Sequence, residues 1–371
     1  MRQAALLVLE DGAIFSGRSC GAAGEAFGEA VFNTAMTGYQ EIITDPSYMG
    51  QLVAMTYPHI GNYGVIPGDE ESDQPRLAGF IAHEICAKPS NWQSAESLPD
   101  YLSRRGVVAI DGIDTRALTL RLREKGALRG VISTVDLDSQ SLLRKVRQSP
   151  SLIGADLAQA ASCPKTFSWS QSGGAESWRL AVMDFGVKYG LLRRLAALGA
   201  AVQVFPAVAD PRDVLAFSPE GIVLSNGPGD PAAAGYGVAA ARAFAESGIP
   251  VMGVCLGHQL LALAFGAKTF KLKFGHHGAN HPVKDLETGR VAVTSQNHGF
   301  GVDTESLPKF LRATHKSLND GTCEGLAHAE LPVFSLQFHP EAAPGPHDAL
   351  DAFARFAALM AERRRRLASH A

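Results

Sequence analysis

The sequence predicts an α/β fold in two parts: a C-terminal domain on a doubly wound, mostly parallel sheet, preceded by a smaller α+β domain. Three observations carry this expectation. From Arg179 onward, apolar strand-like runs alternate with helix-like ones, the rhythm of a parallel sheet with helices on both faces. Within residues 1–150, Gly17 to Gly68 is instead rich in glycine and aromatics with short β-like runs, and helix signals appear only later. Between them, 151–178 shifts in composition, with Ser162-Cys163-Pro164-Lys165 and a Ser168 to Ser177 stretch around Gly173-Gly174. That segment reads as an interdomain linker or, alternatively, as a surface loop within one domain. A chain of 371 residues is long enough for two hydrophobic cores, and 179–371 forms the second domain.

In the first domain, Leu6–Leu9 and Ala13–Phe15 form a hairpin through Glu10-Asp11-Gly12. Gln51–Tyr57 reads as a strand and Pro99–Arg105 as a short helix. Asp114-Thr115 are placed to cap a helix over Arg116–Lys125, closed by Gly126. Nothing in this domain, taken alone, declares a chemistry. In the second, Leu180–Phe185, Ala201–Phe205, Gly221–Ser225 and Pro250–Val254 read as strands. Leu191, Leu192, Leu195 and Leu198 share a helical face ended by Gly199, and Tyr236–Ser247 is a further helix. Segments from Lys268 to Gln337 look shorter and more β-like, and a helix from about His347 to Arg366 follows.

Composition sets limits on function. The chain is 46% apolar and 19% charged, as soluble globular proteins are, and its net charge of −3 makes no general case for nucleic acid or membrane partners. Cys20, Cys86, Cys163, Cys255 and Cys323 are scattered and odd in number, which suggests neither a disulfide framework nor a zinc ribbon and fits a reducing cytosol. The apolar run Ala4–Leu9 is cut off by Glu10-Asp11-Gly12, too early for a signal-peptide core, and no run approaches a membrane span. A cytoplasmic protein is expected.

Chemistry centres on Gly253-Val254-Cys255-Leu256-Gly257, which lies between a buried strand and an apolar helical run ending at Gly266. Strand, glycine-flanked nucleophile and helix make a nucleophile elbow, here with cysteine in place of serine. Glycine neighbours let strand and helix pass closely, and the positive helix end favours the reactive thiolate. A lone Gly-x-Cys-x-Gly is equally the mark of a buried structural cysteine. A nucleophilic thiol needs a base. Among twelve histidines, His339 follows an apolar strand, Pro332–Phe338, and stands in His339-Pro340-Glu341. Pro340 disfavours helix at His339, and in an extended segment residues two apart share a side, so Glu341 can reach the imidazole. An exposed His-Pro-Glu turn is the alternative. Ser225-Asn226-Gly227-Pro228-Gly229-Asp230-Pro231, directly after a strand, suits an oxyanion hole. A phosphate loop or an ordinary tight turn competes with it, though no Gly-x-x-x-x-Gly-Lys-Ser/Thr occurs in the chain.

Together, Gly227-Pro228-Gly229-Asp230, Gly253 to Gln259 and Gln337-Phe338-His339-Pro340-Glu341 resemble the class I, triad-type glutamine amidotransferases over residues 179 to about 366. Thr37 to Glu41, Thr44 to Tyr48, Lys273 to Gly278 and Ser295 to Phe300 extend the likeness to the whole chain, which resembles the small-subunit family of the carbamoyl phosphate synthetases. Ala279 stands where a second glycine is commoner. The resemblance implies a catalytic Cys255, His339 and Glu341. It also implies L-glutamine held by Ser47, Gly227, Gly229, Leu256, Gln259, Asn297, Gly299 and Phe300, with Ser47 coming from the first domain. It further implies no metal or cofactor on this chain, and a large synthetase subunit as partner in a heterodimer. That subunit would bind ATP, magnesium and bicarbonate and consume the ammonia for arginine and pyrimidine biosynthesis. A stand-alone cysteine hydrolase or peptidase of the same fold, and a non-catalytic binding subunit, are the competing readings.

Other features are weaker. His276, His277 and His281 cluster, but adjacent histidines of a strand point to opposite sides, and no carboxylate or cysteine is expected to complete a ligand set nearby. His258 and His298 lack a carboxylate two residues away and read as polar neighbours of the site. The basic run Arg363–Arg366 lies at a helix C-terminus, where cations are favoured in any case.

Overall fold

The Asp11-Gly12 turn returns Ala4–Leu9 against Ile14–Ser19, with Leu7 opposite Phe15. In this computed structural model, which describes residues 3–169 and 178–369, that hairpin belongs to the first of two units. The first comprises Met1–Ile153 and Lys273–Gly278; the second comprises Gly154–Leu272 and Ala279–Ala371.

Seven strands of the first unit close into a barrel, in the order Ala4–Leu9, Ile14–Ser19, Val108–Asp111, Gly79–Ile81, Gln51–Met55, Glu25–Asn33 and Leu128–Ser133. Because successive residues of a strand face opposite sides, Leu7 and Leu9 join one core cluster with Leu52, Ile110, Ile132 and the helical Leu118 and Leu122. Val8 and Val131 face the other way, onto Leu142 and Val146 of the helix Ser139–Gln148. The helix Thr115–Lys125 begins where a cap is expected: an Asp114 carboxylate oxygen accepts from the Ala117 N–H at 2.8 Å, and Gly126 follows at φ 98°. A helix not foreseen, Tyr39–Thr44, has Gly38 at its N-cap with no side-chain cap bond and is buried at five of its six positions. It therefore lacks both a capping signal and an amphipathic stripe.

The second unit holds a ten-stranded mixed sheet. Five parallel strands form its centre, in the order Ala200–Pro206, Trp178–Asp184, Gly221–Leu224, Val251–Val254 and Val333–Leu336. Beyond them lie Cys323–His328 and Leu311–Ser317, paired antiparallel, then Lys268–Asp285 and Val291–Asp303. Along the first parallel strand, Leu180 and Val182 pack with Leu191, Leu195, Phe353 and Phe356. Ala181 and Met183, one residue out of phase, pack with Val214, Phe244, Leu256 and Leu260. Helices therefore cover both faces of the parallel strands.

Two expectations change. Lys268–Asp285 and Val291–Asp303 are 18 and 13 residues long, not short segments. The middle of the longer one, Lys273–Gly278, groups with the first unit, so no single apolar alternation runs along it. Residues 151–178 are only partly linker-like. Ala158–Ala161 is helical, and Phe167–Trp169 adds an edge strand antiparallel to Ala200–Pro206, with Trp169 against Tyr189 at 5.1 Å between ring centres. That pairing is set by partners more than twenty residues away, which the local Ser/Gly composition hides. Residues 170–177 of the expected linker lie outside the described residues. Among the described residues, no helix is long and apolar enough to cross a membrane.

Candidate active site

Cys255 ends the strand Val251–Val254 and caps the helix Leu256–Ala264. Its backbone sits at φ 52°, ψ −101°, a conformation that costs about 1–3 kcal/mol and persists only where surroundings impose it. They do so here: the Cys255 N–H donates to the Leu336 carbonyl at 2.8 Å, and the Gly257 N–H to the Ser225 carbonyl at 3.0 Å. The flanking glycines are required by contact. A Cβ on Gly257 would stand 2.1 Å from the Leu224 carbonyl oxygen, and one on Gly253 would stand 2.7 Å from the Gly257 carbonyl oxygen. The thiol is 2% exposed and lies 3.5 Å from the Asn297 carbonyl oxygen.

His339 bridges to the strand bearing Asn297, its N–H donating to Ser295 at 2.9 Å. Its Nδ1 is 2.7 Å from Glu341 Oε1, so the expected pairing exists. The reason differs from an extended segment, however. A tight turn, with the Ala342 N–H on the His339 carbonyl at 3.1 Å, brings the carboxylate back. His339 Nε2 is buried and has no hydrogen-bond partner among the described residues, and the Cys255 thiol is one of the groups favouring the protonated ring. Glu341 Oε1 also lies 3.2 Å from Lys188 Nζ, and all three side chains are inaccessible. Burial is the largest influence on His339 and opposes its charge, but the Glu341 charge, together with the contact with Cys255 and the hydrogen bond to Glu341, outweighs burial and Lys188 and raises the imidazole to about 10. Burial likewise works against charge on Glu341; Lys188 first and His339 second hold it ionised, down to about 2.

The loop after Gly221–Leu224 runs against the elbow. A Cβ on Gly227 would meet the Phe185 carbonyl oxygen at 2.1 Å and Leu256 Cδ2 at 3.0 Å. Gly229 takes φ 97° beside Ala155 and Leu157, while Asp230 accepts from the Gly154 and Ala232 N–H groups. Leu256 is the first residue of its helix, where N–H groups have no intrahelical acceptor. Gln259, buried one turn on, donates its amide to Phe300 O at 2.8 Å and Gln337 Oε1 at 3.1 Å. Phe300 carries Lys271 Nζ 4.9 Å from its ring centre, and Lys271 also lies 2.8 Å from where a Gly299 Cβ would stand. Cys255, His339, Glu341, Gly227, Gly229, Leu256, Gln259, Asn297, Gly299 and Phe300 thus all belong to the second unit. Ser47 belongs to the first, buried in a turn where its N–H donates to Asp45 Oδ1 at 2.9 Å.

The neighbouring histidines have other attachments. His258 Nδ1 is 2.9 Å from Ser335 Oγ, and complete burial pushes its ring down to about 3, so it is neutral. His298 has Nδ1 2.7 Å from Phe300 O and Nε2 2.9 Å from Gln296 Oε1. His276 and His277 are buried, the latter ring 5.8 Å from Tyr48. Lys188 and Asn226 are the residues sequence reasoning passed over. A lysine among mostly apolar residues between the strand Trp178–Asp184 and the helix Tyr189–Ala196, where it is the N-cap, was the available signal for Lys188. Asn226 sits in the singled-out loop, where its Oδ1 accepts the Lys188 N–H at 3.2 Å and its Nδ2 donates to Gly186 O at 2.7 Å.

Residues 7–132 match the family described as carbamoyl-phosphate synthase small chain, CPSase domain, and residues 181–358 match glutamine amidotransferase class-I. Over 371 residues the chain is 50% identical to the carbamoyl phosphate synthase small chain of Syntrophotalea carbinolica, covering 97% of this chain and 98% of that protein. It is 53% identical over 367 residues to that of Thioalkalivibrio sulfidiphilus, covering 96% and 97%. It is 50% identical over 378 residues to that of Pseudomonas aeruginosa, covering 98% and 100%. Matches of this depth along nearly the full length of both partners leave one assignment: the chain belongs to the carbamoyl-phosphate synthase small chain family and carries a class I glutamine amidotransferase domain.

Proposed function

We propose that this chain hydrolyses L-glutamine to glutamate and ammonia with Cys255 as nucleophile, His339 as base and acid, and Glu341 as the group orienting His339. It is a glutamine amidotransferase, the small chain of a carbamoyl phosphate synthase. His339, whose ring is held toward its protonated form, carries the proton given up by the Cys255 thiol, and the sulfur bonds to the side-chain amide carbon of glutamine. The oxyanion is met by the N–H groups of Gly227 and Leu256. His339 returns the proton to nitrogen, the C–N bond breaks and ammonia leaves a glutamyl thioester. A water deprotonated by His339 then attacks the thioester, and glutamate departs as the thiol is restored. Gln259, Asn297, Gly229, Gly299, Phe300 and Ser47 hold the amino acid so that only its amide meets the sulfur. The parallel strands are read as a doubly wound sheet, with the site at their carboxyl ends.

The ammonia passes to a large chain in a cytoplasmic heterodimer, which joins it to bicarbonate at the expense of ATP with magnesium. This chain itself binds no cofactor. The observation that carries the reading is the buried His339, with Nδ1 committed to Glu341 at 2.7 Å and Nε2 left without a partner, beside a cysteine in elbow geometry. The test is Cys255→Ser in the complex with the large chain. Glutamine-dependent synthesis is expected to vanish while synthesis from added ammonium continues at the normal rate. Loss of both together, or retention of glutamine-dependent synthesis, refutes the division of labour.

A further inference from the structure

We infer that Glu324 is a positioning residue for glutamine binding, acting through Gln296 and His298 to hold the stretch Asn297–Phe300 in place. The inference rests on the glutamine site proposed above and adds to it a residue that acts through two others. Three features support it.

First, the run of contacts is continuous and buried. Glu324 is 0% exposed, and a carboxylate removed from water persists only where hydrogen bonds or ions answer it. Its Oε2 accepts from Gln296 Nε2 at 2.9 Å, and Gln296 Oε1 accepts from His298 Nε2 at 2.9 Å. His298 Nδ1 donates to the Phe300 carbonyl at 2.7 Å, the same oxygen that accepts from Gln259 Nε2 at 2.8 Å. Second, the direction of that run is fixed. Residues two apart on the strand Val291–Asp303 share a side, so Thr294, Gln296 and His298 stand in a row. The Thr294 hydroxyl donates to the His281 carbonyl at 2.9 Å, which leaves its oxygen to accept from Gln296 Nε2 at 3.2 Å. With one amide hydrogen committed to Thr294 and the other to Glu324, Gln296 has only its oxygen to offer His298. Third, the main chain of Glu324 grips the same place. Its carbonyl accepts from the Gln337 N–H at 2.9 Å, and Gln337 Oε1 accepts from Gln259 Nε2 at 3.1 Å. Asn297 and Gly299, proposed glutamine contacts, alternate with this row on the one strand, and the Asn297 carbonyl lies 3.5 Å from the thiol. A shift of His298 therefore carries them with it.

A role exercised on binding rather than on chemistry makes a specific kinetic prediction. In the complex with the large chain, kcat and KM for glutamine hydrolysis are measured for Glu324→Leu, Glu324→Gln, Gln296→Met and the Glu324→Leu, Gln296→Met double variant, beside synthesis from ammonium. Breaking the run at either link is expected to raise KM roughly 10-fold, as loss of one buried hydrogen-bond partner does, with kcat changed less than about 3-fold. Glu324→Gln keeps an oxygen for the Gln296 amide and should stay within about 3-fold of the normal KM. The double variant is expected to bind glutamine no more weakly than the weaker single one, because both changes remove the same function. Ammonium-dependent synthesis should persist, reporting an intact complex. If Glu324→Leu does not assemble, Gln296→Met set against Glu324→Gln carries the same comparison. A normal KM after either break, a loss confined to kcat, KM increases that multiply in the double variant, or a Glu324→Gln enzyme as weak as Glu324→Leu overturns the inference while leaving the glutamine site standing. Gln259→Ala separates the two readings, since it removes a proposed glutamine contact from the same Phe300 carbonyl. A normal KM in that variant overturns the glutamine site, and the inference falls with it.

Discussion

Adding one methyl group at Gly227 should disable glutamine hydrolysis without unfolding the protein. The Cβ of Gly227→Ala would start 2.1 Å from the Phe185 carbonyl oxygen and 2.8 Å from its carbon, whereas ordinary contact begins near 3.4 Å. The deficit is 3.4 − 2.1 = 1.3 Å, against backbone rather than the end of a flexible side chain. Neither Phe185, whose N–H is tied to Ser225 Oγ at 3.0 Å, nor Leu256 at the start of the elbow helix can yield that distance alone. The Gly227 N–H must then move by something near an ångström relative to the thiol. A misplacement of that size costs about 10²-fold, and loss of one oxyanion donor about 10²–10³-fold in kcat. At 1.36 kcal/mol per factor of ten, this corresponds to about 3–4 kcal/mol of transition-state stabilisation. The assay is steady-state glutamine hydrolysis by the complex, with ammonium-dependent synthesis and circular dichroism confirming assembly and fold. A Gly227→Ala enzyme within about 2-fold of normal kcat would refute the placement of an oxyanion donor at this loop.

Other outcomes follow from the same structure. Glu341 is held below its unfolded value and His339 above its own. The Glu341 contribution to stability is therefore present above pH about 4.5 and fades as pH falls toward 2, whereas the His339 contribution is complete below pH about 6.5 and fades as pH rises toward 10. The advantage of the wild type over Glu341→Gln in thermal unfolding should thus peak between those limits, and a difference independent of pH would contradict the ionised pairing. Asp114→Ala removes a cap accepting from Ala117 at 2.8 Å and should cost about 1 kcal/mol in denaturant unfolding, with no change in glutaminase kinetics. A kinetic change there would show that the first unit's helix influences the chemistry.

Much of the site was legible because its signals are local. Gly253, Cys255 and Gly257 declare a close strand-to-helix crossing, and the contacts a Cβ would make at the two glycines, 2.7 and 2.1 Å from backbone oxygen, are the reason. His339 and Glu341 stand two apart in sequence, so either an extended segment or a tight turn can join them; the turn is what occurs. Asp114 and Gly126 mark both ends of one helix because capping chemistry acts within a few residues. Tyr39–Thr44 escaped because a helix buried at five of its six positions and lacking a side-chain cap carries neither signal.

The sequence by itself singled out Cys255, His339 and Glu341, the residues proposed as nucleophile, base and orienting carboxylate, together with the alternation that makes a parallel sheet and the family motifs, since each is written in residues near one another or in motif order. Tertiary structure alone decided that the N-terminal strands close into a barrel, that Phe167–Trp169 joins a sheet edge, and that Lys188, 153 positions before Glu341, lies behind the carboxylate. Those outcomes depend on backbone pairing and burial between segments far apart in the chain. Short-range propensity says nothing of which distant cation a buried carboxylate will find.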